Sequence, residues 1–407
     1  MYPLLRVDLD KLRHNAEALL QLANPWGVNI WAVTKVFCGA PAVGQALLAA
    51  GITTLADSRL ENLARLPAAE KVLLRLPDPR QADAVVRYAD WSLNSELTTL
   101  QALSRAATAA GKQHKVLLMV DVGDLREGLW PDEVIGFVRQ AVDLPGICIA
   151  GIGTNLTCLN GVLPDSNNLS ILVELATELE RLGLAKCEVV SGGNSSSFEM
   201  LRQGKLPKGI NNLRLGEAII LGRETSKNRP LPGLFTDTVT LQAVAIEVKE
   251  KPWQPIGTIG ENPFGNTLQL TDKGTGRRVI LALGRQDVNP EGLVPLEPGV
   301  RVLGASSDHL ILDMRDYPED VQVGQVFSFG LNYTALLAAC TSPYVVKEFV
   351  QAKKRPVGLE KEESQCQDKS LVVGTVPIHL LSSPPSAEEK KNWPLPLSVA
   401  CGRRPRK

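Results

Sequence analysis

The sequence predicts an α/β chain: a TIM-type (β/α)8 barrel over residues 1–225, a β-rich domain over 226–350 and a disordered tail over 351–407. Three observations carry this prediction. Up to about residue 222, eight short apolar runs alternate with helical patterns, the signature of repeated βα units. From about residue 226 the pattern changes to long alternating segments separated by turns, which reads as antiparallel sheet. Beyond residue 350 the chain is proline-rich, with charge clusters and no periodicity, a composition that cannot bury enough apolar surface to offset the entropy of ordering.

In chain order, a first helix is expected after an N-cap at Asp8 or Asp10, with apolar positions at Leu12, Ala16, Leu19 and Leu20. The eight runs that follow are "IWAVTK" (30–35), "TTLADS" (53–58), "KVLLRL" (71–76), "WSLNS" (91–95), "KVLLMVDVG" (115–123), "CIAGIGTNL" (148–156), "CEVVSGG" (187–193) and "NNLRLG" (211–216). Helical patterns such as "LTTLQALSRAATAAG" and "LSILVELATELERLG" separate them, the second stopped by Gly183. The second domain is written in "TDTVTLQAVAIEVKEK", "RRVILALG", "VRVLGASSDHLILDM" and "QVFSFGLN".

Barrel chemistry sits at the C-terminal ends of the strands. Those ends read Lys35, Ser58, Arg75, Asn94, Asp121, Asn155, Ser191 and Arg214, all polar on otherwise apolar runs. A lone strand-ending lysine ordinarily lays its stem on the core and its ammonium in water. A ring of polar ends changes that reading, because the Lys35 amine then faces a pocket and can serve as a nucleophile.

Bulk properties exclude several classes. The chain is long enough, at 407 residues, for two domains. Lys+Arg and Asp+Glu are 44 each, so nothing draws the protein to nucleic acid or to an anionic membrane. No run is long and apolar enough to span a bilayer, and the N-terminus has no secretory pattern. The seven cysteines are odd in number and scattered without a CxxC pair, which points to a reducing cytoplasm. Four histidines without ligand spacing predict no metal site.

Three motifs carry chemistry. "VVSGGNSSSFEML" (189–201) is a strand, a Gly-Gly turn, an Asn and three Ser, then a helix, a layout that suits a phosphate. It follows the seventh run, where barrels often bind phosphate, although a plain turn with a serine cap reads the same. "NNLRLGEAIILG" sets Arg214 at the eighth mouth, either facing a ligand or paired with Glu217. "MVDVGDLREG" clusters Asp121, Asp124, Arg126 and Glu127, usually the mark of a salt-bridge network. Asn155 and Cys158 in "GIGTNLTCLNG" are structural by the same ordinary reading.

Together these phrases resemble the fold-type III pyridoxal-phosphate enzymes, the alanine racemase superfamily, in its alanine/ornithine racemase branch. "VTKVFCG", "VDVGDLREG", "GTNLTC", "SGGNSSS", "LRLGEAIILGRE", "LALGRQDV", "GASSDHLILD" and "LNYTALLAA" carry the resemblance, in order, from about residue 3 to 348. It implies pyridoxal 5'-phosphate held covalently by Lys35, with its phosphate on Ser195, Ser196 and the backbone amides of Gly193 and Asn194. It also implies Arg214 at the pyridine nitrogen, Arg126 near the ring hydroxyl or the substrate carboxylate, and Asn155 against the ring. The expected reaction is racemisation of a free amino acid, plausibly a larger or basic one such as ornithine. The expected assembly is a homodimer in which the partner's β domain brings "GASSDH", with Asp308, and Tyr333 into the pocket.

Alanine racemases carry a tyrosine after the lysine motif and another in the β domain that serves as second base. The matching stretches here, "KVFCGAP" and "PIGTIGENPFG", contain none. The second base is then expected from Asp308, His309, Asp287, Tyr333 or Cys158, with Asp308 first. Rival functions on this scaffold are a non-enzymatic pyridoxal-phosphate binding protein, which usually lacks a β domain, a decarboxylase, and a D-amino acid aldolase. The aldolase would need a metal, for which His309 beside Asp308 is the sole hint.

Overall fold

A computed structural model describes residues 1–261, 264, 274–351 and 372–375. Eight parallel strands close into a barrel: Asn29–Val33, Thr54–Asp57, Glu70–Leu73, Trp91–Asn94, His114–Met119, Ile147–Gly153, Val189–Ser191 and Asn212–Leu215. Each pairs with the next in sequence, and the last returns to the first with Arg214 beside Trp31. Each of the eight apolar runs contributes one strand. Their C-terminal ends gather at one mouth, as the connections of a βα barrel require.

The first helix, Leu9–Ala23, is capped by Asp8, whose Oδ1 accepts from Asp10 N at 3.1 Å and Lys11 N at 3.0 Å. Asp10 is therefore a first-turn acid and not the cap. Leu12, Ala16 and Leu19 bury its inner face. The helix Ser166–Arg181 starts on Asp165, which accepts from Asn168 N, and ends before Gly183 at φ 65°.

Inside the barrel, Trp31, Ala56, Val72, Trp91, Leu93, Leu117, Met119 and Ala150 form a small core separate from the larger one outside. The Trp31 and Trp91 rings lie 5.3 Å apart, and Trp91 Nε1 donates to Glu70 Oε1 at 2.7 Å. This plug packs the barrel axis.

The second domain is a nine-stranded, mostly antiparallel sheet built on the long strand Val239–Pro252. Its membership begins earlier in the chain than residue 226. Leu4–Asp8 pairs antiparallel with Val239–Pro252 and parallel with Val346–Gln351, so the first strand lies in the second sheet. Five residues running straight into a helix, with Asp8 both ending the strand and capping the helix, leave too short a run for periodicity to register. Of the expected disordered tail, Gln351 ends one strand and Val372–Thr375 pairs antiparallel with it; the rest lies outside the described residues.

Candidate active site

After the first barrel strand, Thr34 leads into a 3-10 turn, Lys35–Phe37. Thr34 Oγ1 donates to Asp57 Oδ2 at 2.7 Å, at the end of the second strand. Asp57 is fully buried and also accepts from Asn62 Nδ2 at 2.8 Å and Arg59 N at 3.1 Å. Burial pushes its carboxyl above the usual carboxylate range, against those hydrogen bonds. Arg65 Nη2 then spans Asn62 Oδ1 at 2.7 Å and Cys38 O at 2.6 Å. Cys38 is left-handed at φ 53° and Gly39 at 65°, and a Cβ on Gly39 would stand 2.7 Å from Asn62 Cα. No larger residue fits there. Val36 and Phe37 are buried while Lys35 is exposed, so the turn anchors its flanks and presents the amine.

The second turn follows the seventh strand. Asn194 caps the 3-10 segment Ser195–Ser197, its Oδ1 accepting from Ser196 N at 2.8 Å. Its Nδ2 protons are shared between Leu156 O (2.8 Å) and Cys158 Sγ (3.3 Å). Ser197 Oγ donates to Gly192 O at 2.6 Å, and Ser195 Oγ accepts from Ala218 N at 3.1 Å. Ser196 Oγ is buried and has no hydrogen-bond partner. A buried hydroxyl left unmatched is costly.

Arg214 is 4 % exposed. Its Nη1 donates to Ser191 Oγ at 2.6 Å and its Nη2 to Thr154 O at 2.5 Å. Neutral oxygens hold it, and it forms no ion pair with Glu217 or with any other described carboxylate. Burial lowers this guanidinium to about 10. The expected salt-bridge network of the fifth mouth is also smaller than its charges suggest. Arg126 pairs with Glu127. Asp121 accepts from Gly123 N (2.8 Å) and Leu125 N (3.1 Å), and Asp124 from Leu159 N (3.1 Å) and Val162 N (3.2 Å). These aspartates pin loops, and the loop that Asp124 pins carries Cys158. With its amide turned over, Asn155 accepts from Arg126 Nη1 at 3.2 Å, which puts it between Arg126 and Asn194.

Two adjoining cavities open at this mouth. One, of about 280 Å³, is lined by Lys35, Asn194, Ser195, Arg214, Glu217 and Tyr333 among others. The other, of about 400 Å³, adds Ser58, Arg75, Arg126, Glu127 and Asn155. Lys35, Leu74, Cys158 and Arg214 line both.

Tyr333 corrects an expectation. It was expected from a partner subunit, yet it reaches the cavity of its own chain. Asn332 caps the helix Tyr333–Thr341, accepting from Ala335 N at 3.0 Å, and Cys38 Sγ donates to Cys340 O at 3.7 Å, so that helix packs on the Lys35 turn. Burial, with Glu217 nearby, pushes the Tyr333 phenol up to about 12. Asp308 lines neither cavity of its own chain; it lies exposed and accepts from Gln286 Nε2. His309 is exposed beside it, and Asp287 accepts from Gly284 N at 2.9 Å. Part of "PIGTIGENPFG" lies outside the described residues. Glu217, Thr157 and Thr225 line the first cavity without having been expected there; Glu217 was in view only as a partner for Arg214.

Residues 7–224 match the family described as alanine racemase, N-terminal domain. The chain belongs to the alanine racemase family, and its enzyme class is that of the racemases. It is 42% identical over 353 residues to the ornithine racemase of Acetoanaerobium sticklandii, covering 86% of this chain and 100% of that one. It is 39% identical over 353 residues to the lysine racemase of Thermotoga maritima, covering 86% and 99%. Among solved structures, the alanine racemase of Clostridium difficile 630 in complex with cycloserine shares its fold, with a TM-score of 0.67 at 16% identity over 92% of this chain and 98% of that one.

Proposed function

We propose that this chain racemises a free basic amino acid, ornithine or lysine, with pyridoxal 5'-phosphate, as a homodimer in the cytoplasm. The observation that carries the reading is the grouping, on one arc of the mouth, of the Lys35 amine and the serine turn, with the buried Arg214 between them. The residues present suit the cofactor. The unmatched Ser196 hydroxyl, the Ser195 hydroxyl and the backbone at Gly193 and Asn194 would take its phosphate. Lys35 would hold its carbonyl carbon, and Arg126 and Asn155 would lie by its ring hydroxyl. Arg214 would face its ring nitrogen; a guanidinium only donates, so it would keep that nitrogen unprotonated. Bound there, pyridoxal phosphate would draw electrons from the amino acid's Cα and make its proton removable.

The chain's own groups supply the rest. Lys35, as a free amine, takes or returns the Cα proton on one face. Inversion requires an acid or base on the other. If Arg126 does not take the ring hydroxyl, it would take the substrate carboxylate, whose two oxygens a guanidinium matches. Glu127 and Glu217 give the mouth carboxylates that suit a cationic side chain, in keeping with the two curated relatives.

The test is to load the purified protein with pyridoxal phosphate, reduce with borohydride and map the pyridoxyl group by mass. It should sit on Lys35, and L- and D-ornithine and lysine should lose optical rotation. A label on another lysine, or carbon dioxide or an aldehyde as product, would refute the reading.

A further inference from the structure

Four residues line both cavities, and only two of them can give up and recover a proton during turnover: Lys35 and Cys158. Leu74 carries none, and Arg214 stays charged. The two come from different parts of the rim. Lys35 stands on the turn after the first strand, and Cys158 on the loop after the sixth. Between them on the closed barrel lie the serine turn of the seventh strand and Arg214 of the eighth. A molecule held on the serine turn and Arg214 therefore has one proton carrier on each side.

Cys158 is also placed, not merely present. Asp124 secures its loop through Leu159 N and Val162 N, and Asn160 Nδ2 donates to Asp124 O at 2.8 Å. Asn194 Nδ2 approaches the sulfur at 3.3 Å. The Arg126 and Arg214 guanidiniums are within electrostatic reach of it. Of the five described cysteines, Cys158 is the exposed one, and the other four line neither cavity. The other ionisable groups fit less well. Tyr333 and Glu217 line the first cavity only, and Asp308 lines neither cavity of its own chain.

We propose that the Cys158 sulfur is the second acid–base group, acting on the face of Cα that Lys35 does not reach. The inference rests on the racemase reading above. In one direction the Lys35 amine removes the Cα proton and the Cys158 thiol delivers its own to the opposite face, leaving an ammonium and a thiolate. In the other direction the thiolate removes the proton and the Lys35 ammonium delivers one. One C–H bond breaks, one forms, and nothing is oxidised or reduced. No residue from a second copy is required for the step.

The experiment compares the holoenzyme with Cys158→Ala, Cys158→Ser and Asp308→Asn, using L- and D-ornithine in deuterated water. For Cys158→Ala and Cys158→Ser we expect racemisation to fall at least 100-fold while the α-proton of one enantiomer, the one Lys35 serves, still exchanges. Iodoacetamide on unaltered enzyme should alkylate Cys158 first among the five described cysteines, and ornithine should slow that labelling. Racemisation within threefold of normal in Cys158→Ala, or its loss in Asp308→Asn with Cys158→Ala intact, would overturn the inference. If Cys158→Ala does not fold, labelling of Cys158 that ornithine leaves unchanged would overturn it as well. If the unaltered enzyme exchanges no α-proton of either enantiomer, the racemase reading itself fails and this inference falls with it.

Discussion

After its first barrel strand the chain turns through Lys35–Phe37, and after its seventh through Ser195–Ser197, two 3-10 segments on the same mouth with only the eighth strand between them. The lysine turn is held from outside itself. Asp57, Asn62 and Arg65, all from the next βα unit, secure Thr34 on one side of it and Cys38 on the other. The serine turn is held partly from within, by Asn194 Oδ1 on Ser196 N and Ser197 Oγ on Gly192 O, and partly by Leu156 O and Ala218 N of the neighbouring units, and it keeps one buried hydroxyl unmatched. The difference is one of task. A long, flexible side chain can be aimed only if its backbone is rigid, so the fold braces that backbone with a neighbouring unit. On the proposed reading an anion is received by small groups close to the chain, and the second turn keeps the Ser196 hydroxyl unmatched.

The largest expected effect would break the brace. Gly39→Ala drives a Cβ against the Asn62 backbone at a left-handed position and should cost about 3 kcal/mol or more. Gly193→Ala, at φ 105° with its nearest contact a side-chain atom, Ser197 Oγ at 3.0 Å, should cost about 1–2 kcal/mol. Urea unfolding of the two variants measures the contrast, and equal losses would mean that the two turns are not held differently.

Asp57 is next. Asp57→Ala strips acceptors from Thr34, Asn62 and Arg59 together and should cost about 2–4 kcal/mol. Asp57→Asn retains an acceptor for Asn62 and Arg59 and should stay within about 1 kcal/mol of the parent at neutral pH. The sign with pH follows from the raised carboxyl. In the window from its ordinary value up to its raised one, the folded chain binds more protons than the unfolded, so the contribution is greatest at the acid end and is lost as pH rises. Melting curves of parent and Asp57→Asn should therefore move in the variant's favour as pH climbs through that window. A drift the other way would mean the hydrogen bonds outweigh burial.

The smallest effect lies on the serine turn. Ser196→Ala removes a buried hydroxyl that has no partner, so the protein without cofactor should melt at the same temperature or slightly higher. Affinity for pyridoxal phosphate should drop about tenfold, roughly 1.4 kcal/mol. Titration by fluorescence reads the second quantity. Unchanged affinity would remove Ser196 from the phosphate site and leave the two turns without the contrast drawn between them.

Several features were legible because their causes are local. The eight apolar runs, the change to alternating segments, the cap at the first helix and the Gly183 stop each depend on neighbours a few residues away, and the polar strand ends follow from that count. The family phrases added roles for Lys35, Arg214 and the serine turn. Other features were set by contacts between distant parts of the chain. Asp57 reads as the inside of a strand in "TTLADS", and nothing near it announces Thr34, Asn62 or Arg59.

By itself, then, the sequence determined the kinds of element, their order and which residue types stand at the mouth, because periodicity and turn chemistry act over a few residues. Tertiary structure alone decided that Leu4–Asp8 joins the second sheet and that Tyr333 enters the cavity of its own chain. It also decided that Arg214 rests on neutral oxygens and that Cys158 shares both cavities with Lys35. Each of these depends on sheet register and barrel closure, which bring residues up to several hundred positions apart into contact and leave no trace in local pattern.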